Sequence, residues 1–285
     1  VCDLDYPKQK MCIMVLDDSD DNTTEQIAEL VENYKGKGFD ISHVRRGTRQ
    51  GYKAGALKYA MKYTKSEFVA IFDADFIPPK WYLKRAIPYF AKPNIGFVQC
   101  RWGHVNENYS ALTQAQALSL DFHFLVEQRA KSNSHLFMNF NGTAGIWRKE
   151  CIEDSGGWHT ATLVEDLDLS YRAQMKGWKC LFIPDIVVNA ELPVQMNGAK
   201  RQQFRWAKGS IQCAIKLLGG ILLKRKITID AKLQAFVQLT RHIVFPLMLI
   251  QFLALPILLA SNVNLYIVSF LPVVTLATYV AMGPG

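Results

Sequence analysis

Apolar residues first gather at positions 11–16, a run that ends in Asp17-Asp18-Ser19-Asp20-Asp21. Asn22-x-x-Glu25 then has the form of a capping box, opening a helix whose apolar face is Ile27, Leu30, Val31 and Tyr34. The same order of strand, loop and helix recurs. Residues 41–44 predict a strand, 51–64 a helix, 68–72 a buried strand running into Asp73-Ala74-Asp75, 79–91 a helix and 95–99 another strand. Such alternation predicts an α/β fold with a mostly parallel, doubly wound sheet. Sheets of this kind gather ligands at the carboxyl ends of their strands. Both acidic clusters fall at such ends, so they are expected to face one another across a shared cleft.

The pattern is less regular afterwards. Residues 109–131 read as one long amphipathic helix, 132–147 as a loop bearing Gly and Asn, and 166–175 as a helix closed by Gly177. Short strands are expected at 181–183 and 186–188, on either side of Pro184, and a helix over 199–218 that Gly219-Gly220 interrupts. Residues 221–236 mix Leu-Leu with Lys-Arg-Lys and fit a helix lying in a membrane interface. Two uncharged runs close the chain, 243–260 and 265–282, each about 27 Å long at helical rise and hence close to a bilayer core. They predict two transmembrane helices joined by a hairpin at 261–264. The expected organisation is a catalytic-type domain over 1–198, interface helices over 199–242 and a membrane tail over 243–285.

Composition supports that division. The chain has 285 residues, 49% of them hydrophobic, with a mean hydropathy of +0.01. That average hides a boundary, because all 33 basic and 25 acidic residues lie at or before Arg241. Apolar content on this scale excludes a disordered chain, and six scattered cysteines exclude a small disulfide scaffold. The cysteines are expected to be reduced and buried. His123 and Glu127 share a helix face and read as a packed or solvated pair, not a metal site. The net charge of +8 concentrates toward the tail, at positions such as Arg201, Lys208, Lys224, Arg225 and Lys226. There it favours a cytoplasmic position for the preceding domain and contact with membrane lipid, not nucleic acid.

Four motifs bear chemistry. Asp73 and Asp75, two apart where a strand ends, can both reach a hard cation such as Mg²⁺ or Mn²⁺, whose shell water and phosphate oxygens complete; the alternative is a strand-end turn. Lys53 follows the Gly-rich basic segment Arg45-Arg46-Gly47-Thr48-Arg49-Gln50-Gly51 at a helix start, an anion cradle or a solvated basic turn. Glu165-Asp166 stands where a helix begins, so Asp166 is either a plain N-cap or a general base in a cleft. Gln202, Arg205 and Trp206 share one helix face, pairing a guanidinium suited to phosphate with an indole suited to a sugar ring.

Asp17-Asp18, Asp73-x-Asp75, Glu165-Asp166 and Gln202-x-x-Arg205-Trp206, in this order and ahead of membrane helices, resemble the D, D-x-D, T-E-D and Q-x-x-R-W signature of processive glycosyltransferase family 2 enzymes. That group contains the cellulose, hyaluronan and mannan synthases. The resemblance spans nearly all of residues 11–260. It implies a GT-A fold and inverting transfer from a UDP- or GDP-sugar to the end of a growing polysaccharide. By it Asp166 is the catalytic base with Glu165 in support, and Asp17, Asp18, Lys53, Asp73, Gln202 and Arg205 hold the donor. Asp73 and Asp75 take the metal, while Trp206 and the Phe140-Asn141-Gly142-Thr143 loop meet the acceptor. Val164 departs from the usual Thr, and the family's first strand has no counterpart before Val1, so the sequence reads as truncated. Transfer of one sugar to a lipid phosphate carrier is the nearest alternative, and a non-catalytic nucleotide-sugar-binding membrane protein a further one.

Overall fold

The computed structural model describes residues 1–260; the second expected span and its hairpin lie outside the described residues. Strand β1 (Cys12–Leu16) pairs in parallel with β2 (Asp40–Val44), the two joined through helix α1 (Thr23–Gly36). After α2 (Tyr52–Ala60) come β3 (Phe68–Ile71), the two-residue β4 (Phe76–Ile77), α3 (Tyr82–Ala86) and β5 (Ile95–His104). Then follow α4 (Ala111–Asp121), α5 (Arg129–Asn133), β6 (Gly145–Arg148), α6 (Lys149–Asp154), α7 (Glu165–Lys176) and β7 (Lys179–Ala190). Helices α8 (Met196–Leu223), α9 (Ile229–Thr240) and α10 (Val244–Ala260) complete the described chain.

The larger sheet has the order β3-β6-β5-β7-β4. Its long ladder, β5 with β7, is parallel like β1 with β2, whereas the short ladders of β6 and β4 are antiparallel. Side chains alternate across this sheet as the pleat requires. Phe97, Trp147 and Phe182 enter one core with Phe124, Phe140 and Leu169. Their neighbours Val98, Ile146 and Ile183 enter another with Tyr82, Phe90 and Val188. The strand order has a consequence for the acidic motif. Since β3 and β4 lie at opposite edges, the connection bearing Asp73 and Asp75 must cross the end of the sheet.

Several local expectations are corrected. Asn22 has helical backbone (φ −65°, ψ −8°) and makes no side-chain cap; Asp21 Oδ1 instead accepts from the Thr23 N–H at 3.0 Å. Residues 79–91 give α3 and then a 3₁₀ turn (Ile87–Ala91) where Pro88 removes a donor. The run after Ser110 is not one α-helix, because α4 and α5 are separated by a π-helix (Phe122–Gln128). The two strands around Pro184 are one strand, with a bulge opposite Cys100–Arg101 absorbing the proline. Gly219-Gly220 does not stop α8. A Cβ at Gly220 would lie 3.3 Å from Met175 Cε, so the glycine lets α8 pass close to α7. The expected interface helix is broken at residues 224–228, where Thr228 caps α9 by accepting from the Ala231 N–H. The cysteines are free, but Cys12 is exposed and Cys2 and Cys180 only partly buried.

Among the described residues one helical run, Ile229–Ala254, is long and apolar enough to cross a membrane, and little of it is buried. Ile229, Leu233, Phe236, Phe245 and Leu249 lie exposed along it.

Candidate active site

The end of β1 and the end of β2 meet through charge. Asp17 is buried, and its carboxylate accepts from Ser19 N–H (2.8 Å), Thr24 Oγ1 (3.1 Å) and His43 Nε2 (2.8 Å). Burial alone would raise its pKa, but the hydrogen bonds from Ser19, His43 and Thr24 outweigh it and hold the carboxyl well below the ordinary range. Asp17 is therefore committed to its own loop and to β2. Asp18 takes the Arg46 guanidinium through Nε (2.9 Å) and Nη2, and Arg46 Nη2 also donates to the Tyr52 carbonyl (3.1 Å).

That contact leads directly to the second cluster. Lys53, in the first turn of α2, pairs through Nζ with Asp73. Gly51 (φ +72°) and Tyr52 (φ +46°) turn the chain sharply before it, with Gly51 held against Thr160. The Asp73 N–H donates to Thr143 Oγ1 at 2.9 Å, which ties the D-x-D to the loop before β6. Asp75 is exposed; burial nevertheless lifts its pKa, and the neighbouring charges of Asp73 and Glu191 add to the rise. The two acidic clusters thus meet through residues 45–53.

Gly142 brings this side to Asp166. Its φ is +83°, and a Cβ there would stand 3.1 Å from Asp166 Oδ2 and 3.5 Å from Lys53 Nζ. Asp166 is not an N-cap, because α7 begins at Glu165 with Val164 as its cap residue and no side-chain cap. Its Oδ1 instead accepts from the Leu167 N–H at 2.8 Å. Burial, then the facing Glu165, push the Asp166 carboxyl up to about 7, against the pull of Lys53. Burial also raises Glu165, opposed by Lys53. A carboxylate poised near neutrality at the edge of a cavity is what a general base requires.

The cavity holds about 280 Å³ and is lined by Asp166, Phe140, Asn141, Gln202 and Trp206 among the expected residues. Arg205 is exposed on α8 yet close enough to lower Glu165. Helix α8 lies against α7 because Gly209 leaves room: a Cβ there would be 2.7 Å from Val164, the residue at the Thr position of T-E-D. Asp168, fully buried on α7, is clasped by Arg172 (2.8 Å) and by Lys216 of α8 (2.6 Å), fixing α7 to the Gln-x-x-Arg-Trp helix.

Two residues of the 140–143 loop also brace the fold. Phe140 packs its ring on Phe97 and Trp147, and Thr143 is buried with its hydroxyl on Asp73. The sequence reading missed Trp102, Gln116, Gln238 and Arg241, which line the cavity from four different elements, and did not assign His123 to it. Their only sequence signal was polar or aromatic character on otherwise amphipathic segments.

For a metal, Asp73 and Asp75 are two oxygen donors on one exposed segment, and their mutual repulsion is what a divalent cation relieves. No group of three or more His, Cys, Asp or Glu gathers as a cage among the described residues. The donor set suits Mg²⁺ or Mn²⁺ with the rest of its shell from water and phosphate.

Residues 1–209 match the family model described as "Glycosyltransferase like family 2". The chain is 43% identical over 253 residues to probable glucomannan 4-beta-mannosyltransferase 7 of Oryza sativa subsp. japonica, covering 86% of this chain and 43% of that protein. It is 45% identical over 231 residues to glucomannan 4-beta-mannosyltransferase 2 of Arabidopsis thaliana, covering 79% and 43%. It therefore spans less than half the length of these relatives. Among solved structures, the mannosyltransferase PcManGT from Pyrobaculum calidifontis, in complex with GDP-Man and Mn2+, superposes with a TM-score of 0.67 at 22% identity, covering 98% of this chain and 75% of that one. TarS 1-349 of S. aureus, in complex with UDP-GlcNAc, gives 0.60 at 18%, covering 85% and 66%. The likeness to these structures is one of fold, the GT-A arrangement that the sequence implied.

Proposed function

Because the chain belongs to glycosyltransferase family 2, we propose that it is the catalytic part of an inverting enzyme adding hexose units from a nucleoside-diphosphate sugar to the end of a polysaccharide. The observation that carries this is Asp166, raised to about 7, on a cavity shared with Trp206, Gln202 and Asn141, with Gly142 lying against both Asp166 and the Lys53 ammonium that pairs with Asp73. Relatives named mannosyltransferases and a like-folded structure holding GDP-Man favour GDP-mannose as donor.

In this reading the acceptor sugar lies on Trp206 and presents a hydroxyl to Asp166. The hydroxyl oxygen attacks the anomeric carbon as its proton passes to the Asp166 carboxylate, and the bond to the diphosphate breaks on the opposite face. Lys53 and Arg205 face the charge that grows on the leaving diphosphate; pre-placed cations there lower the barrier because they need not reorganise. Asp73 and Asp75 would hold Mg²⁺ or Mn²⁺, which when bound supplies Lewis-acid neutralisation of that charge. Lys53 pairs with Asp73, and in this reading donor phosphate takes Lys53 from that partner. Glu165, itself raised, adds to the repulsion that keeps Asp166 basic. Asp17 and Asp18 shape the nucleotide side through His43 and Arg46.

The apolar, exposed run Ile229–Ala254 supports a membrane location, and Gln238, Arg241 and His242, midway along it, line the cavity. The basic residues between the catalytic domain and the uncharged tail favour the cytoplasmic face for that domain. The test is a panel of GDP- and UDP-sugars with Mg²⁺ or Mn²⁺ on the full-length protein in detergent, followed by product sizing. Polymer from GDP-mannose that a β-mannan hydrolase degrades supports the proposal. A product that stops at one lipid-linked sugar contradicts it.

A further inference from the structure

Residues five apart on an α-helix point about 140° away from each other. In a π-helix the i→i+5 hydrogen bonds bring them onto one face, and such segments recur at functional sites. His123 and Gln128 stand five apart in the π-helix between α4 and α5, and both reach Asn141.

The directions of these bonds can be worked out from a single fixed acceptor. Gln128 Nε2 donates to the Asn139 carbonyl at 2.7 Å, and a carbonyl can only accept, so the amide nitrogen of Gln128 is the end facing this loop. The same nitrogen meets Asn141 Oδ1 at 2.7 Å, which places the Asn141 oxygen toward Gln128. Asn141 Nδ2 must then face His123 Nε2, at 2.9 Å, and as an amide nitrogen it can only donate. His123 Nε2 is consequently the acceptor, and its proton sits on Nδ1, 2.9 Å from Glu127 Oε2. Glu127 is steadied by Lys131 (3.6 Å) and Arg241 (3.9 Å). The Asn141 backbone N–H donates to Gln99 Oε1 at 2.8 Å, so the residue is held at main chain and side chain alike.

His123 and Asn141 both line the cavity that holds Asp166 and Trp206. We propose that His123, presented by the π-helix and held in one tautomer by Glu127, is a positioning residue for the acceptor sugar. It sets the direction of the Asn141 amide. An amide has two protons and two lone pairs; the clamp engages one of each and leaves one of each to sort the hydroxyls of an incoming sugar. This inference rests on the acceptor reading proposed above.

The test measures binding by the full-length protein in detergent, with mannotetraose followed by tryptophan fluorescence, since Trp102 and Trp206 line the cavity, and with GDP titrated separately. His123→Leu removes the acceptor for Asn141 Nδ2 and should raise the mannotetraose Kd about three- to tenfold, the usual worth of one hydrogen bond. His123→Gln, whose amide oxygen can stand in for Nε2, should restore it to within about twofold. GDP affinity should be the same in all three proteins. Unchanged mannotetraose affinity in His123→Leu overturns the proposal, as does equal weakening in both variants or a parallel loss of GDP affinity. Wild-type protein that binds GDP but not mannotetraose defeats the polysaccharide reading itself, and this inference with it.

Discussion

Replacing Asp166 by Asn tests the poised base through stability as well as catalysis. The side chain is isosteric, and its Oδ1 can keep the bond from the Leu167 N–H. In the folded protein the carboxyl titrates near 7 against an ordinary 3.8, chiefly because it is buried and then because Glu165 faces it. Between those two values the native state therefore binds more protons than the unfolded chain. Stability from this group is full below 3.8 and is lost as pH rises toward 7. Asn does not titrate, so the variant should gain on the wild type through that window and hold a constant lead above it. At 1.36 kcal/mol per unit the lead is roughly 2 kcal/mol at pH 5 and roughly 4 kcal/mol at pH 8. Denaturant or thermal unfolding in detergent at pH 5, 6, 7 and 8 measures it. A lead that stays flat from pH 5 to pH 8 would refute the reasoning, because it would mean that the carboxyl titrates normally and is not poised.

Other variants probe the surrounding parts. Lys53→Met removes the cation that pulls Asp166 down; the acid limb of the kcat/KM profile should move to higher pH, and donor affinity should fall. Gly142→Ala puts a Cβ at φ +83° and 3.1 Å from Asp166 Oδ2; it should cost about 1 kcal/mol or more in unfolding measurements and at least tenfold in transfer. Asp168→Ala leaves Arg172 and Lys216 without their buried counter-charge and should lower unfolding stability by about 3–5 kcal/mol. Chelation should abolish transfer, with Mn²⁺ or Mg²⁺ restoring it, and Asp75→Asn should raise the metal concentration needed for half-maximal rate.

The strands and acidic loops were legible because buried strands and the turns after them leave short signals: the apolar runs read at 11–16, 68–72 and 95–99 fold as strands over 12–16, 68–71 and 95–104. Lys53, Asp73 and Asp166 are far apart in sequence, yet the structure brings them together around Gly142. What escaped the sequence reading was set by tertiary contact. The π-helix has no apolar period of its own, since its winding is fixed by how His123 and Gln128 meet Asn141. Helix α8 runs through Gly219-Gly220 because packing against Met175 and the capped α9 outweighs a propensity cost of about 1 kcal/mol per glycine. Thr143 is a support because the D-x-D segment, crossing the end of the sheet, needs a partner for its backbone N–H. None of these has a local signature.

The central claim is that Asp166 deprotonates an acceptor hydroxyl during sugar transfer. Incorporation of labelled mannose from GDP-mannose by the full-length protein and its Asp166→Asn variant, with donor affinity measured alongside, tests it most directly. The account predicts incorporation by the wild type, its loss in the variant, and GDP-mannose affinity unchanged between them. Incorporation by the variant at the wild-type rate would contradict it.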